Sequence, residues 1–286
     1  MRTFILGVGA QKSGTTWLFK QLIKSKDFCK GFSKEYHLFD SLHLDHCGNS
    51  TQHISRRIKN YPFQEGDDFI EKHKKIMLNF YADKNKYYDY FDSILTTDDS
   101  FSSDITPSYS GLSSQVLEEI KRGFHKRNID VKVVFLMREP ITRLESSLKM
   151  GLKRDKPLRK VANSEMAQKM YKMINSHVDR TRSNYAYTCG QIDQVFAPNE
   201  IFYGFYETLF TQTEINRLSS FLNLNARYFD AQNIVNSTAK PFKYSSNDMN
   251  HFKEMVNDRY QFVSERFDFD LSKWDEARSK LVDTAL

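Results

Sequence analysis

The 286-residue sequence predicts an α/β protein whose central parallel sheet is flanked by helices. Three observations carry that reading. Short apolar runs at Phe4–Gly9, Val131–Met137 and Ile201–Phe205 stop at glycine or at charged and proline-containing turns. Each run leads into a segment whose apolar residues recur at helical spacing. Glycine (11) and proline (6) are scarce, which favours helices over a turn-rich all-β architecture.

The first unit is Phe4-Ile5-Leu6-Gly7-Val8-Gly9 followed by a helix over 15–24, with Trp17, Leu18, Leu22 and Ile23 on its apolar face. The second is the strand 131–137, then Arg138-Glu139-Pro140, with Pro140 suited to the first turn of a helix that carries Leu144, Leu148 and Met150. The third is the strand 201–205 followed by a helix within 207–222. Between them, 67–81, 113–124 and a long run from Leu158 to about Thr188 read as helix. Residues 43–60 are polar and aperiodic and read as an irregular excursion. The aromatic-rich stretch from Phe262 to Trp274 reads as an amphipathic helix. With no repeat and no Gly/Ser linker, residues 1–286 are expected to form one domain with helical insertions around a core at about 3–40 and 101–150.

Composition narrows the function. Hydrophobic residues at 40% can build a core, and charged residues at 27% argue against global disorder. A net charge of +6 suits an anionic ligand but is too diffuse to predict nucleic-acid binding. Cys29, Cys47 and Cys189 are widely separated and lack CxxC spacing, so neither a disulfide framework nor a zinc site is expected. The apolar run after Met1 is too short for a signal peptide, and no stretch of about 18 apolar residues predicts a membrane span. A cytoplasmic location is the corresponding expectation.

Gly9-Ala10-Gln11-Lys12-Ser13-Gly14-Thr15-Thr16-Trp17 lies between the first strand and its helix. A phosphate needs backbone N–H donors, a helix N-terminus and a nearby cation, and this segment supplies all three. Gly9 and Gly14 match the GxxxxG of a nucleotide triphosphatase loop, but Thr15 stands at its lysine position and the lysine is displaced to Lys12. A lysine inside the loop suits a short diphosphate-like group.

The segment QKSGTTWL resembles the 5′-phosphosulfate loop of the sulfotransferases, which use 3′-phosphoadenosine 5′-phosphosulfate (PAPS) as donor and release adenosine 3′,5′-bisphosphate (PAP). That family's second signature is a strand-end arginine with a serine eight residues later. Phe135-Leu136-Met137-Arg138-Glu139-Pro140 followed by Ser146 is similar to it. The resemblance implies a P-loop-like sulfotransferase fold. It assigns Gln11, Lys12, Ser13, Gly14, Thr15, Thr16 and Trp17 to the 5′ end of the donor. Arg138 and Ser146 are assigned to its 3′-phosphate, and Lys240, in a late basic stretch, joins them. Trp17 and Phe242 are open between adenine packing and the core. No metal is implied, since Lys and Arg supply the charge that magnesium supplies in kinases.

Lys34-Glu35-Tyr36-His37-Leu38-Phe39-Asp40 is similar to a segment of the glycosaminoglycan (heparan sulfate-type) sulfotransferases in which the glutamate is the base. The resemblance makes Glu35 the general base, with Lys12 assisting the departing phosphate. Lys34 and His37 are then candidates to orient sulfate or acceptor, while His37 and Asp40 read equally well as a structural pair. Asp104-Ile105-Thr106-Pro107-Ser108-Tyr109 resembles the acceptor-lining segment of the same branch, with Ile105 in place of its lysine. Thr106, Ser108 and Tyr109 are the candidate acceptor contacts. The cytosolic branch, which KSGTTWL also resembles, takes its base from a later histidine, so features of both branches are present. The expected activity is sulfuryl transfer from PAPS to a hydroxyl of a carbohydrate or small-molecule acceptor, without nucleic acid or membrane partners. A P-loop kinase is the competing enzyme reading, weakened by Thr15 and by the lack of an apolar strand ending in a magnesium-binding aspartate. A catalytically inactive nucleotide-binding protein of the same fold is the competing reading outside enzymes.

Overall fold

The computed structural model describes residues 2–48, 68–155, 161–231 and 241–283. Strand β1 (Thr3–Gly9) is buried from Phe4 onward, as its uninterrupted apolar run requires of a strand with neighbours on both sides. It pairs in parallel with β2 (Phe101–Ile105), Thr3 opposite Phe101 and Gly7 opposite Ile105. On its other side it pairs in parallel with β3 (Asp130–Met137), Thr3 opposite Asp130. With β4 (Ile201–Phe205) the sheet has four strands in the order β2-β1-β3-β4, helices flank it, and the fold is α/β.

β2 escapes a periodicity reading because only Phe101 and Ile105 of Phe-Ser-Ser-Asp-Ile are apolar. Its polar side chains are nevertheless buried. Ser102 donates to the Cys29 carbonyl at 2.7 Å, and the Asp104 carboxylate is filled by four donors described below. Satisfied hydrogen bonds replace apolar burial in this strand.

Two compact units are present. The first comprises Met1–Gly9, Phe19–Phe135 and Gly190–Phe202. Its core is aromatic: Phe4 stacks on Phe124 with centroids 3.9 Å apart and meets Phe91 edge-on at 4.7 Å. The helix Ser114–His125 brings Val116, Leu117, Ile120 and Phe124 to that core, and Gly123 allows the Tyr88 ring to lie against its backbone. The helix expected at 67–81 forms as Asp68–Ala82. Residues 38–48, partly expected to be irregular, instead form the helix Leu38–His43 and a helical turn Asp45–Gly48. The rest of the expected excursion lies outside the described residues.

The second unit comprises Ala10–Leu18, Leu136–Cys189 and Tyr203–Leu286. Here the long helix expected from Leu158 is divided into Asn163–Met173, His177–Ser183 and Tyr185–Asp193. Asn175 takes a left-handed φ of 62° after the first, and Ser176 starts the second by accepting from the Asp179 N–H. The amphipathic tail is likewise two helices, Asn257–Arg266 and Ser272–Ser279. The chain is extended at Phe267 because Phe267 and Phe269 pack on Phe205, at 5.5 and 3.9 Å between centroids. Buried Asp179 binds both Arg143 (2.8 Å) and Arg259 (2.6 Å), tying the helix Pro140–Asp155 to the tail. No helix among the described residues is long and apolar enough to cross a membrane.

Candidate functional site

In the second unit, the turn after β1 is built by two left-handed residues. Lys12 has φ 70° and Gly14 φ 92°. A Cβ at Gly14 would lie 2.6 Å from Leu209 Cδ2, so only glycine fits both the angle and the space. Ala10 donates to the Leu136 carbonyl at 2.7 Å, Ser13 donates to the Ala10 carbonyl at 3.2 Å, and Leu18 donates to the Gly14 carbonyl at 3.0 Å. A tight turn thus runs into the helix Thr15–Leu22 and leaves its first N–H groups as donors. Lys12 is a non-glycine residue in this left-handed conformation, which costs roughly 1–2 kcal/mol.

Arg138 is clamped at the end of β3. Tyr185 accepts from its N–H at 3.3 Å and donates to its carbonyl at 2.6 Å. Its guanidinium lies 4.2 Å from the Tyr206 ring centroid and donates through Nη1 to the Lys12 carbonyl at 2.9 Å. Glu139 is structural: its buried carboxylate accepts from the N–H groups of Ile141 (3.1 Å) and Thr142 (2.6 Å), capping the helix Pro140–Asp155. Ser146 is buried on that helix. Gln11 accepts from Ser147 at 3.0 Å and from Arg182 Nη1 at 3.2 Å, two loop neighbours that the sequence reading missed. Ser147 directly follows Ser146 of the second signature, whereas Arg182 belongs to no local motif and reaches Gln11 from the helix His177–Ser183.

Ser13 Oγ, Arg138 Nε and Arg182 Nε are buried and have no hydrogen-bond partner among the described residues. Unfilled buried donors are costly, about 1–3 kcal/mol each. All are donors, on side chains that form or contact the turn or, for Arg182, contact Gln11 within it. That donor set fits a phosphate-bearing ligand. The Trp17 ring is otherwise occupied: it is 2% exposed, donates to the Asp230 carbonyl at 2.9 Å and meets Phe210 edge-on. Phe242 is buried as well. Both rings are core residues rather than free surfaces for adenine. Lys240 lies outside the described residues.

The first unit carries a separate chain of titratable groups. Lys34 Nζ is 2.7 Å from Glu35 Oε1, and Glu35 Oε2 is 3.1 Å from His37 Nε2. His37 Nδ1 is 2.7 Å from Asp40 Oδ2, which also accepts from Ser108 Oγ at 2.5 Å. An imidazole between two carboxylates fills both contacts only when both ring nitrogens carry protons. Burial alone would raise the Glu35 carboxyl. The His37 hydrogen bond and the charge and hydrogen bond of Lys34 outweigh it and bring the group down to about 2.

Three residues expected to touch an acceptor face inward. Thr106 donates to Asp104 Oδ1 at 2.6 Å, Tyr109 donates to Asp104 Oδ2 at 2.9 Å, and Ser108 is taken by Asp40. The structure gives these hydroxyls to buried carboxylates. Tyr87 also donates to Asp104 Oδ2 at 2.9 Å. Desolvation raises Asp104 to about 6, and the hydrogen bonds from Thr106, Tyr109, the Tyr36 N–H and Tyr87 offset only part of that. Since its unfolded value is 3.8, the folded state takes up this proton first as pH falls. Acidification from pH 7 to 4 should therefore add roughly 2–3 kcal/mol at this group, lost again as pH rises through about 6. Asp104→Asn should lack that component, measured as a wild-type minus variant difference in the urea midpoint that grows as the pH falls through this window. An Asn variant with the wild-type slope would assign the proton elsewhere.

No family model matches the sequence, and no curated protein matches it. Solved structures do. A sulfotransferase from Alicyclobacillus acidocaldarius superposes with a TM-score of 0.62 at 17% identity, over 96% of this chain and 99% of that one. The fold is that of the sulfotransferases. Two further structures align at a TM-score of 0.44: the sulfotransferase domain from the curacin biosynthetic pathway and that of the Synechococcus PCC 7002 olefin synthase. The first is 17% identical over 98% of this chain and 96% of its own, and the second 15% identical over 99% and 95%. Assignment of the fold rests on the Alicyclobacillus protein, and at these identities the likeness concerns the fold alone.

Proposed function

We propose that this protein is a sulfotransferase that moves the sulfuryl group of PAPS to a hydroxyl of a carbohydrate or small-molecule acceptor. The observation that carries the reading is the phosphate turn with its unfilled buried donors at Ser13, Arg138 and Arg182. PAPS supplies an activated sulfuryl group and leaves as PAP. Lys12, Ser13 and the N–H groups of Gly14, Thr15 and Thr16 hold the 5′ end, and Lys12 offsets negative charge gathering on the leaving oxygen. Arg138 and Ser146 hold the 3′-phosphate, with the planar Arg138 guanidinium supported by the Tyr206 ring.

Glu35 takes the proton of the acceptor hydroxyl as the oxygen forms its bond to sulfur. His37, held from behind by Asp40, keeps the Glu35 carboxylate in one orientation. A carboxyl held at about 2 is ionised but weakly basic. An anionic group presented to Lys34 competes with Glu35 for the ammonium, and release of that ion pair raises the basicity of Glu35 at the moment it is needed.

The testing experiment is calorimetry with PAP beside ATP plus magnesium, followed by a labelled-sulfate transfer screen over hydroxylated acceptors. Tight PAP binding with transfer supports the proposal. Preference for magnesium-ATP overturns it in favour of a kinase, and PAP binding without transfer to any acceptor favours an inactive binding protein. Lys12→Ala is expected to lose donor affinity and turnover together, because its ground-state contact strengthens as the leaving oxygen becomes charged. Near-normal kcat at saturating donor would remove Lys12 from the chemistry.

A further inference from the structure

The backbone of residues 34–38 is strapped to the end of β2 by contacts that converge on one buried side chain. The Ile105 N–H donates to the Lys34 carbonyl at 2.8 Å. The Tyr36 N–H is shared between Asp104 Oδ1 and Thr106 Oγ1, both at 3.2 Å. The His37 N–H makes a longer contact to the same Thr106 oxygen at 3.5 Å. The Leu38 N–H donates to the Tyr109 hydroxyl at 3.2 Å. Thr106 and Tyr109 in turn donate to the two oxygens of Asp104, which is fully buried. Three successive amides are therefore anchored, directly or through one hydroxyl, on a single carboxylate.

The residue in the middle of these amides is the one that needs holding. His37 has φ 53°, a left-handed value that costs a non-glycine residue roughly 1–2 kcal/mol. That conformation puts Nδ1 on Asp40 and Nε2 on Glu35 at once. The Tyr81 hydroxyl donates to the His37 carbonyl at 3.2 Å from the helix Asp68–Ala82, closing the peptide from the other side.

We propose that Asp104 is a positioning residue that holds His37 in its left-handed conformation so that the ring braces Glu35. Its consequence for turnover rests on the sulfotransferase reading above; the positioning itself does not. Thr106 and Tyr109 act as its two arms. The arrangement explains why a strand of such polar composition is buried: its aspartate organises the segment beside it.

The test uses the full-length chain and three variants. Asp104→Asn keeps the shape but turns one acceptor oxygen into a donor, and Tyr109→Phe removes the acceptor of the Leu38 amide. Tyr87→Phe removes a donor to Asp104 that touches none of the three amides and serves as the comparison. The readouts are the ¹⁵N resonances of the His37 ring and hydrogen exchange at the amides of residues 36–38. Asp104→Asn and Tyr109→Phe should shift the ring resonances and speed exchange of those amides by roughly tenfold, the scale of one lost hydrogen bond. Tyr87→Phe should change both far less. In the transfer assay the first two variants should lower kcat while the donor KM stays within about twofold, the split expected when only transition-state interactions are lost. Unchanged His37 resonances in folded Asp104→Asn and Tyr109→Phe would overturn the proposal. Should Asp104→Asn fail to fold, Tyr109→Phe decides. Absence of transfer by the wild-type chain would sink the sulfotransferase reading while the resonance and exchange measurements still judge the positioning.

Discussion

Glu35→Gln should lower the rate of sulfuryl transfer by roughly 10²–10⁴, the usual worth of a positioned base, while leaving PAP affinity unchanged. The substitution keeps size and shape, so Tyr36 and His37 keep their backbone contacts to Asp104 and Thr106. What is lost is the charge that Lys34 and His37 face. The cost in stability should be small, because the Glu35 side chain is 34% exposed and solvent screens the pair. What ionisation of Glu35 contributes is present above its unfolded value of 4.5 and is lost as pH falls through about 2, so it does not vary near neutrality. Single-turnover rates with preloaded donor, beside calorimetry, make the measurement. Wild-type turnover in the Gln variant would remove Glu35 as base and direct attention to His37. A variant unable to bind PAP would give Glu35 a structural task instead.

Arg138→Ala should weaken PAP binding by about 2–4 kcal/mol, a loss of roughly 30- to 1,000-fold, with the fold retained. The proposed pairing of one guanidinium with a dianionic phosphate justifies the size. Its present contacts justify the retention: Tyr206 beneath it and the Lys12 carbonyl beside it are modest partners. The backbone clamp by Tyr185 does not depend on the side chain. Calorimetry with circular dichroism on the same samples checks both halves. Unchanged PAP affinity in a folded variant would withdraw Arg138 from the 3′-phosphate. Arg138→Lys should recover only part of the affinity, since an ammonium can neither fork nor stack as a guanidinium does.

How legible each part was follows from how local its cause is. The strands Thr3–Gly9, Asp130–Met137 and Ile201–Phe205 were read within one or two residues, because apolar runs ending in turn residues have few other uses. The strand Phe101–Ile105 was not, since its burial depends on hydrogen bonds from Tyr36, Tyr87, Thr106 and Tyr109. The divided helices at Asn175 and at Phe267 were missed for a similar reason. Asn175 donates its amide N–H to Asp179, itself held by two arginines, and Phe267 packs against Phe205.

Contiguous residues by themselves determined the glycine-containing turn after β1. Gly9, Lys12, Ser13, Gly14 and the helix start after them need only backbone geometry over a few residues, which sequence encodes directly. The pairing of Lys34, Glu35, His37 and Asp40 was similarly within reach, since they lie inside one short segment. Only the tertiary structure decided that Ser147 and Arg182 meet Gln11, that Tyr206 supports Arg138, and that Trp17 belongs to the core. It also turned Thr106, Ser108 and Tyr109 inward onto Asp104 and Asp40. The physical reason is the direction of a hydroxyl or guanidinium. Local backbone preference leaves such a side chain several rotamers, and only the buried partner that arrives from elsewhere in the chain selects one.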